Sequence, residues 1–567
     1  MSYSFLRVAA ATAASLLTIL IASSVSPRDV RAAEPSKYPF RFEDVGEKTG
    51  LLPDVGGIRG HAAAWGDADN DGYPELFVGT FHNGGSKSSL LFRNDKGKFR
   101  LDEQEHMRTS GIGSGALFAD LTNSGRLDLY VSHCAHGKEG LLTVPSLLFR
   151  NDGGGKFTDV SKGSGACPPN YAGRGLAALD YDGDGLLDLI LCEQYYSPNV
   201  KTGPALYRNL GNYKFENVSE AAGLPVGLGG LGVAVADVNL DGWPDLFLTH
   251  GGGEHRLLLN DGRGKFADAP GTREAFRWNT GTPDDTPAGV AIADVNRDTL
   301  PDIVIGNHFK SPWTKPAPVR LYLNRGVEKG VPKFEDVSEA AGVKPLEMKA
   351  PHVEIQDFDN DGWPDIYISI VKFQDGRPCP IILQNQGAGR DKMPRFSDDA
   401  WSVNDYPTDE DRAIKRSGTQ FDKILKEKKI IYMAAAPSAD FDRDGRLDLF
   451  LANWWLEQPS LLLRNDTAGG NWLDVVVEGK DGVNRMGIGA RVNVYAAGKA
   501  GDAASLLGSR EIAIGYGYCS GQEAVAHFGL GKTETVDLEV ILPHGKGTFA
   551  RKGVKANERI RVANGAS

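Results

Sequence analysis

Short apolar runs recur along this chain, and each is entered through an acidic loop. The loops are DADNDGYPELFV from Asp67, DLTNSGRLDLYV from Asp120, DYDGDGLLDLIL from Asp180, DVNLDGWPDLFL from Asp237, DVNRDTLPDIVI from Asp294, DFDNDGWPDIYI from Asp357 and DFDRDGRLDLFL from Asp440. Their starts lie 53, 60, 57, 57, 63 and 83 residues apart, a period that marks a propeller or a related array. Runs such as LFLT are continuous rather than alternating, as expected of strands buried on both faces. Around Asp237, GVAVAD precedes the loop, DLFLTH follows it, and HRLLLNDGRGKF joins two further short strands through a glycine turn. Four short antiparallel strands per repeat make one propeller blade. The pattern therefore predicts an all-β fold, a seven-bladed β-propeller over residues 38–468.

Outer-strand copies read KFTDVSKGSGA, KFENVSEAAGL and KFEDVSEAAGV, and the segment PFRFEDV (Pro39 to Val45) carries the same motif ahead of the first loop. The last repeat reaches LLLRND (Leu461 to Asp466) and lacks it. Residues 40–45 are thus expected to complete blade 7 and remove the free edges of the ring. The long gap before Asp440 holds a highly charged segment, 408–429, with Ile414, Phe421 and Leu425 at helical spacing. It predicts a surface helix packed on the rim, with a partner-binding helix as the alternative. After residue 469 the repeat gives way to NWLDVVVEG, GARVNVYAAG, REIAIGYG, AVAHFGLG and VDLEVILPHGKG. Short strands between glycine-rich turns predict a small C-terminal β domain over 470–565.

The loops carry the candidate chemistry. Carboxylates or amides at positions 1, 3, 5 and 9, with glycine at position 6 for the bend, are a hard-oxygen set that suits several structural Ca²⁺ ions. The full sets are Asp67, Asp69, Asp71 and Glu75; Asp180, Asp182, Asp184 and Asp188; Asp357, Asp359, Asp361 and Asp365; and Asp440, Asp442, Asp444 and Asp448. The backbone carbonyl of Leu186 is a further expected ligand at position 7. Two loops replace position 3 by an amide: Asp237, Asn239, Asp241 and Asp245, and Asp294, Asn296, Asp298 and Asp302, the latter with Thr299 in place of glycine. The loop of Asp120, Thr122, Ser124 and Asp128 keeps two carboxylates and is expected to be the weakest, since affinity follows ligand charge. Position 12, where an EF-hand needs glutamate, is Val78, Val131, Leu191, Leu248, Ile305, Ile368 and Leu451, and each lies in a β-rich run. An EF-hand is excluded. The remaining alternative is a set of Asx-rich turns capping strands, against which stands an acid at position 9 in all seven copies.

Residues 1–33 read as a signal peptide: Arg7, the apolar run VAAATAASLLTILIASSV and the small-residue site RAA at Arg31 to Ala33. The run is near the lower limit for a span, so a membrane anchor is the alternative; no other stretch is long enough to cross. Cleavage would remove Arg7, Arg28, Arg31 and Asp29, taking the net charge from −11 to −13. The expected location is secreted, periplasmic or at the cell surface. Twenty-four of the carboxylates sit in the seven loops, so the acidity is concentrated at the candidate cation sites, and no basic patch suggests nucleic acid. The five cysteines show no CxxC spacing, which argues against zinc and thioredoxin-like chemistry. GLGGLG (Gly227 to Gly232) leads into a strand rather than a helix, so it is a weak dinucleotide signal.

The blades resemble FG-GAP/VCBS repeats, the calcium-binding propeller repeats also found in the integrin α head. The tail resembles the ASPIC/UnbV domain through GNWLDVVVEGKDGVNRMGIGARVNVY and AVAHFGLGKTETVDLEVILPHGKG. The pairing resembles the cartilage acidic protein family. The resemblance implies an extracellular calcium-binding propeller with an adhesive role. The loops at Asp120 and Asp294 depart from the repeat pattern.

A ligand face is expected 13 residues after each loop start, at Thr80, His133, Glu193, His250, Asn307, Ile370 and Asn453, with His82, His308, Tyr195, Tyr196, Trp454 and Trp455 nearby. Aromatic and polar groups around a funnel suit a glycan or protein ligand. The expected function is a secreted binding or adhesion module. The alternative is a calcium-dependent polysaccharide lyase or hydrolase using His133, Glu193 or His250.

Overall fold

A computed structural model describes residues 39–563 apart from 82–84, 135–143, 170, 172, 194–202, 252, 279–286, 309–318, 346–349, 375–376, 398–429, 455 and 457. The leader, the charged segment 408–429, and His82, Tyr195, Tyr196 and Trp455 lie outside the described residues. No described helix is long and apolar enough to cross a membrane.

Seven sheets, each built on four antiparallel strands, follow one another, and two of them take a fifth strand: Ser520–Gly521 on blade 1 and Ile430–Tyr432 on blade 6. Blade 1 is Gly60–Gly66, Glu75–Thr80, Leu90–Asp95 and Lys98–Leu101. Blades 2 to 6 begin at Gly113, Gly173, Val233, Pro287 and Val353. Blade 7 is built from Ser438–Ala439, Asp448–Leu451 and Leu461–Asn465, and its fourth strand is Phe42–Asp44 from the other end of the chain. Phe42, Glu43 and Asp44 pair with Asn465, Arg464 and Leu463. The second strands are continuous apolar runs because both faces meet a neighbouring blade. In Glu75–Thr80 all six residues are buried. Blade 7 packs on blade 1 through Trp65, Phe99, Phe441 and Phe450, with the Trp65 and Phe441 rings stacked at 6.5 Å.

The tail forms two further sheets. Asn471–Glu478 pairs antiparallel with Ala526–Gly531 and parallel with Glu558–Ala563. The other sheet runs Leu506–Glu511, Arg491–Ala496, Thr535–Ile541 and Thr548–Lys555. Val475, Val492, Val494, Val536 and Leu538 pack between them, in one apolar cluster with Leu117, Ala178 and Leu189 of blades 2 and 3.

The tail also enters the propeller. Ser520 and Gly521 pair parallel with Ala63 and Ala64 on the first strand of blade 1, and Gly517 bridges Val290 of blade 5. Tyr518 is 1% exposed; its hydroxyl accepts from Arg174 Nη1 at 3.1 Å, and its N–H donates to His352 Nδ1 at 3.0 Å. Gln522 Nε2 donates to Glu354 Oε1 at 2.7 Å. First strands of blades 1, 3, 5 and 6 are thereby tied to one loop, 517–522.

Candidate metal centres

Each acidic loop joins the first and second strands of its blade, and part of its acidity serves the backbone. The position-1 carboxylate accepts from the tight turn: Asp67 from the N–H groups of Asp71 and Gly72 at 3.0 and 3.1 Å, and Asp440 from those of Asp444 and Gly445, both at 3.0 Å. The position-9 carboxylate bridges two strands. Asp188 accepts from Tyr181 N–H at 3.1 Å and Asn209 N–H at 2.7 Å, and Glu75 accepts in the same way from Ala68 and Asn94 at 2.7 and 3.4 Å.

That third-strand asparagine recurs in every blade as Asn94, Asn151, Asn209, Asn260, Asn324, Asn385 and Asn465. Its Nδ2 donates to the position-2 carbonyl of the preceding blade's loop, at 2.7–2.9 Å in all seven blades. In blade 1 the acceptor is Phe441 of blade 7. A single Asn per repeat thus latches each loop to the next blade. The signal was present in the sequence as LFRND, LYRN, LLLN, LYLN and ILQN.

What remains for a cation is drawn from positions 1 and 3 with either 5 or 9. Ligand oxygens lie within 4.8 Å of one another in four sets: Asp67, Asp69 and Asp71; Asp180, Asp182 and Asp188; Asp357, Asp359 and Asp361; Asp440, Asp442 and Asp448. Glu75, Asp184, Asp365 and Asp444 stand outside these sets. Among the described residues, the loops at Asp120, Asp237 and Asp294 form none. In the loop at Asp237, Asn239 Nδ2 donates to Asp241 Oδ2 at 2.8 Å, so the amide satisfies its neighbour directly. In that at Asp294, Asn296 Nδ2 is held by Lys392 O at 2.8 Å. Thr299 keeps the turn with φ of 71°, where the other six loops place glycine.

The donor sets fit a divalent cation. Asp182 Oδ1 and Asp442 Oδ1, each in a close set, are buried without a hydrogen-bond partner. The other oxygen of position 3 is often taken: Arg208 Nε lies 2.7 Å from Asp182 Oδ2, and Gln384 Nε2 donates to Asp359 Oδ2 at 2.6 Å. Two carboxylates 4.8 Å apart repel by about 3 kcal/mol at an effective dielectric of about 20, more than the ~1 kcal/mol of an ordinary hydrogen bond. Burial pushes Asp180 up to about 7 and Glu75 up to about 8, and nearby carboxylates add to both. Without a cation these groups are costly to ionise; a Ca²⁺-sized charge with oxygen ligands reverses that cost.

The tail sits directly on the loops. Trp472 covers Gly445, where a Cβ would lie 1.9 Å from its ring, and a Cβ on Gly529 would meet Asp357 Oδ2 at 2.0 Å. Asp120 N–H points at Met486 Sδ at 3.0 Å, Asp237 N–H donates to Glu511 Oε2 at 3.0 Å, and His544 Nε2 donates to Asp180 O at 3.0 Å. Arg443, at position 4 of its loop, pairs with Glu523 at 2.8 Å, and Arg559 joins Glu523 at 3.0 Å. Burial alone would raise the Glu523 carboxyl, but the two guanidinium groups outweigh it and hold the group at about 2. No tail residue of this seam stands out in the sequence, because no local pattern marks contacts such as Asp120 with Met486, 366 residues away.

The expected ligand face needs correction. Thr80, His133, Glu193 and Asn307 end their second strands, Ile370 lies inside Asp365–Gln374 and Asn453 lies just beyond Asp448–Leu451, and all six are buried. His133 Nδ1 donates to Pro145 O at 2.7 Å. His250, His308 and Trp454 are half-buried, with Trp454 packed on Phe81 at 4.5 Å and His61 at 5.1 Å. Consecutive blades turn these side chains into the interblade packing rather than toward solvent.

Comparison with known proteins agrees with this anatomy. FG-GAP-like repeat models match residues 67–131, 145–191, 195–248 and 237–305, and the ASPIC and UnbV model matches 480–567. The chain is an FG-GAP-like repeat protein with an ASPIC and UnbV domain. It is 27% identical over 507 residues to human cartilage acidic protein 1, covering 85% of this chain and 68% of that protein. Against the Xenopus tropicalis protein of the same name it is 28% identical over 505 residues, covering 85% and 70%. Solved structures it resembles include the BP39L lectin from Burkholderia pseudomallei (TM-score 0.40, 12% identity, 73% of this chain and 98% of that one). Another is the Bacillus licheniformis rhamnogalacturonan lyase PL11 (TM-score 0.37, 14% identity, 74% and 75%).

Proposed function

We propose that this FG-GAP-like repeat protein is a secreted or cell-surface binding module for a glycan or protein ligand, with structural Ca²⁺ in the loops of Asp67, Asp180, Asp357 and Asp440. The observation that carries the structural role is the cover over the loops. Trp472, Gly529, His544 and Glu523 pack onto the loops of Asp440, Asp357 and Asp180, so cations in those three lie between propeller and tail rather than at a substrate surface, while the Asp67 set keeps an exposed carboxylate at Asp71. A cation at positions 1, 3 and 5 or 9 neutralises carboxylates that burial makes costly to ionise. The burial of His133 and Glu193 takes two of the three candidate groups away from the polysaccharide lyase or hydrolase reading.

The test has two parts. Calorimetric Ca²⁺ titration of the EDTA-stripped mature chain should give about four sites, with a rise in melting temperature on loading. A glycan and matrix-protein binding panel, run beside an assay for new reducing ends, separates binder from enzyme. Calcium-dependent release of reducing ends would overturn the binding reading, and no Ca²⁺ uptake would overturn the structural role of the loops.

A further inference from the structure

The tail packs onto the loops of Asp180, Asp357 and Asp440, but beside the loop of Asp67 it leaves an open crevice of about 130 Å³, room for roughly ten waters. One wall is the polar face of the three-stranded tail sheet. Ile560 and Val562 pack inward with Val475 and Val477, and strand alternation turns Arg559 and Arg561 to the opposite face, where Arg561 stands level with Val476. The other wall holds Asp67 and Asn70 of blade 1 and Asp120 and Gly125 of blade 2. Arg485 spans the two. Its N–H donates to Asn123 Oδ1 at 2.8 Å, and its guanidinium lies over Gly125, where a Cβ would stand 3.1 Å from Nε.

The carboxylates of these walls are already engaged. Asp67 and Asp120 accept backbone N–H groups of their own turns, Glu478 pairs with Arg485 at 3.0 Å, and Glu523 pairs with Arg443 and Arg559 at 2.8 and 3.0 Å. The guanidinium groups keep donors to spare. Arg485 spends one arm of its fork on Glu478 and is 47% exposed. Arg561 is exposed and, among the described residues, has no carboxylate within ion-pair distance, in contrast to Arg559 two residues before it. The unspent charge lining the crevice is therefore positive, and it has the planar fork that grips a carboxylate through paired hydrogen bonds.

We propose that this crevice is the glycan site of the protein and that it takes a uronic-acid ring, its carboxylate held by Arg561 with Arg485 beside it. The room is on the scale of one sugar ring. Trp65 and Phe118 border the floor but are at most 1% exposed, so the walls offer polar groups to a hydroxylated ring and no aromatic anchor for a protein. This inference deepens the binding-module reading and rests on it.

The test is calorimetric titration of the full mature chain, in saturating Ca²⁺ and physiological salt, with trimers of galacturonate, glucuronate and mannuronate, beside neutral galactotriose and triglutamate. The expected result is binding of at least one uronate trimer and of neither control. Arg561→Gln should weaken that binding at least about tenfold with the melting temperature unmoved, because the side chain is exposed. Lys552→Gln, which removes an exposed tail cation that does not line the crevice, should leave it unchanged. Failure of all three uronates to bind overturns the proposal, as does full affinity in Arg561→Gln. Equal weakening in Lys552→Gln overturns it in favour of a diffuse charge effect, and equal binding of triglutamate in favour of an acidic peptide. A neutral glycan or matrix protein bound without dependence on Arg561 removes this inference and leaves the binding reading standing; no ligand bound from any panel removes both.

Discussion

Replacing Asn209 by alanine tests the interblade latch at its most complete position. The side chain is 1% exposed. Its Nδ2 donates to Leu121 O of blade 2 at 2.8 Å and to Leu187 O of its own loop at 2.9 Å, while Oδ1 accepts from Gly211 N–H at 2.9 Å. Both leucines are buried; Gly211 is half-buried, so its N–H can turn to water. Alanine therefore strands two buried carbonyls, each costing about 1–3 kcal/mol, for an expected loss of roughly 3 kcal/mol. Asn557→Gly is the control: it also removes a pair of hydrogen bonds, but in an exposed residue whose φ of 62° glycine accommodates, so the cost should stay below about 1 kcal/mol. Urea unfolding at fixed Ca²⁺, followed by both tryptophan fluorescence and far-ultraviolet circular dichroism, gives the difference once the two probes coincide. Equal losses in the two variants would refute the claim that this asparagine holds neighbouring blades together.

Three further outcomes are expected. The Glu523 carboxyl sits at about 2 in the folded chain against an ordinary 4.5, so its pairing stabilises above about pH 4.5 and fades as pH falls toward 2. The worth is roughly 3 kcal/mol, of which about 2 kcal/mol is lost between pH 7 and pH 3, read as the change in the wild-type minus Glu523→Gln stability difference; a flat difference refutes it. Asp442→Asn should remove one Ca²⁺ from the calorimetric stoichiometry, whereas Asp120→Asn should cost stability and leave the stoichiometry unchanged. Thr299→Gly should stabilise by about 1 kcal/mol, because a β-branched residue at φ of 71° is strained where glycine is not; thermal or urea unfolding reads the sign.

The strands were legible because the sequence repeats them. The match between PFRFEDV and the outer-strand motif placed Phe42–Asp44 beside Leu461–Asn465, since a strand motif missing from one end and surplus at the other has one economical home. The charge ranking of the loops also had a counterpart in space: the four loops with four carboxylates form the four close oxygen sets. Side-chain direction at strand ends was not legible. His133 and Glu193 look like surface groups in a linear reading, but in Asp128–His133 and Asp188–Glu193 both faces of the strand are covered by neighbouring blades. The tail's seat was hidden for a different reason. His544 and Asp180 are 364 residues apart, and no local pattern marks a contact of that span.

Counting carboxylates therefore overstates the cation chemistry of these loops, and the geometry explains why. Positions 1 and 9 are bound to backbone N–H groups even in the loop of Asp120, where Asp120 accepts from Ser124 and Gly125 at 2.9 and 2.6 Å and Asp128 accepts from Leu121 and Asn151 at 3.3 and 2.8 Å. Those two acids fold the turn and join it to the third strand whether or not an ion is present. With Thr122 and Ser124 at positions 3 and 5, this loop has lost the charge there while its blade keeps its shape. An acid at position 9 is thus evidence for the fold. Evidence for a cation is an unpartnered carboxylate oxygen at position 3 inside a close oxygen set, found at Asp182 and Asp442.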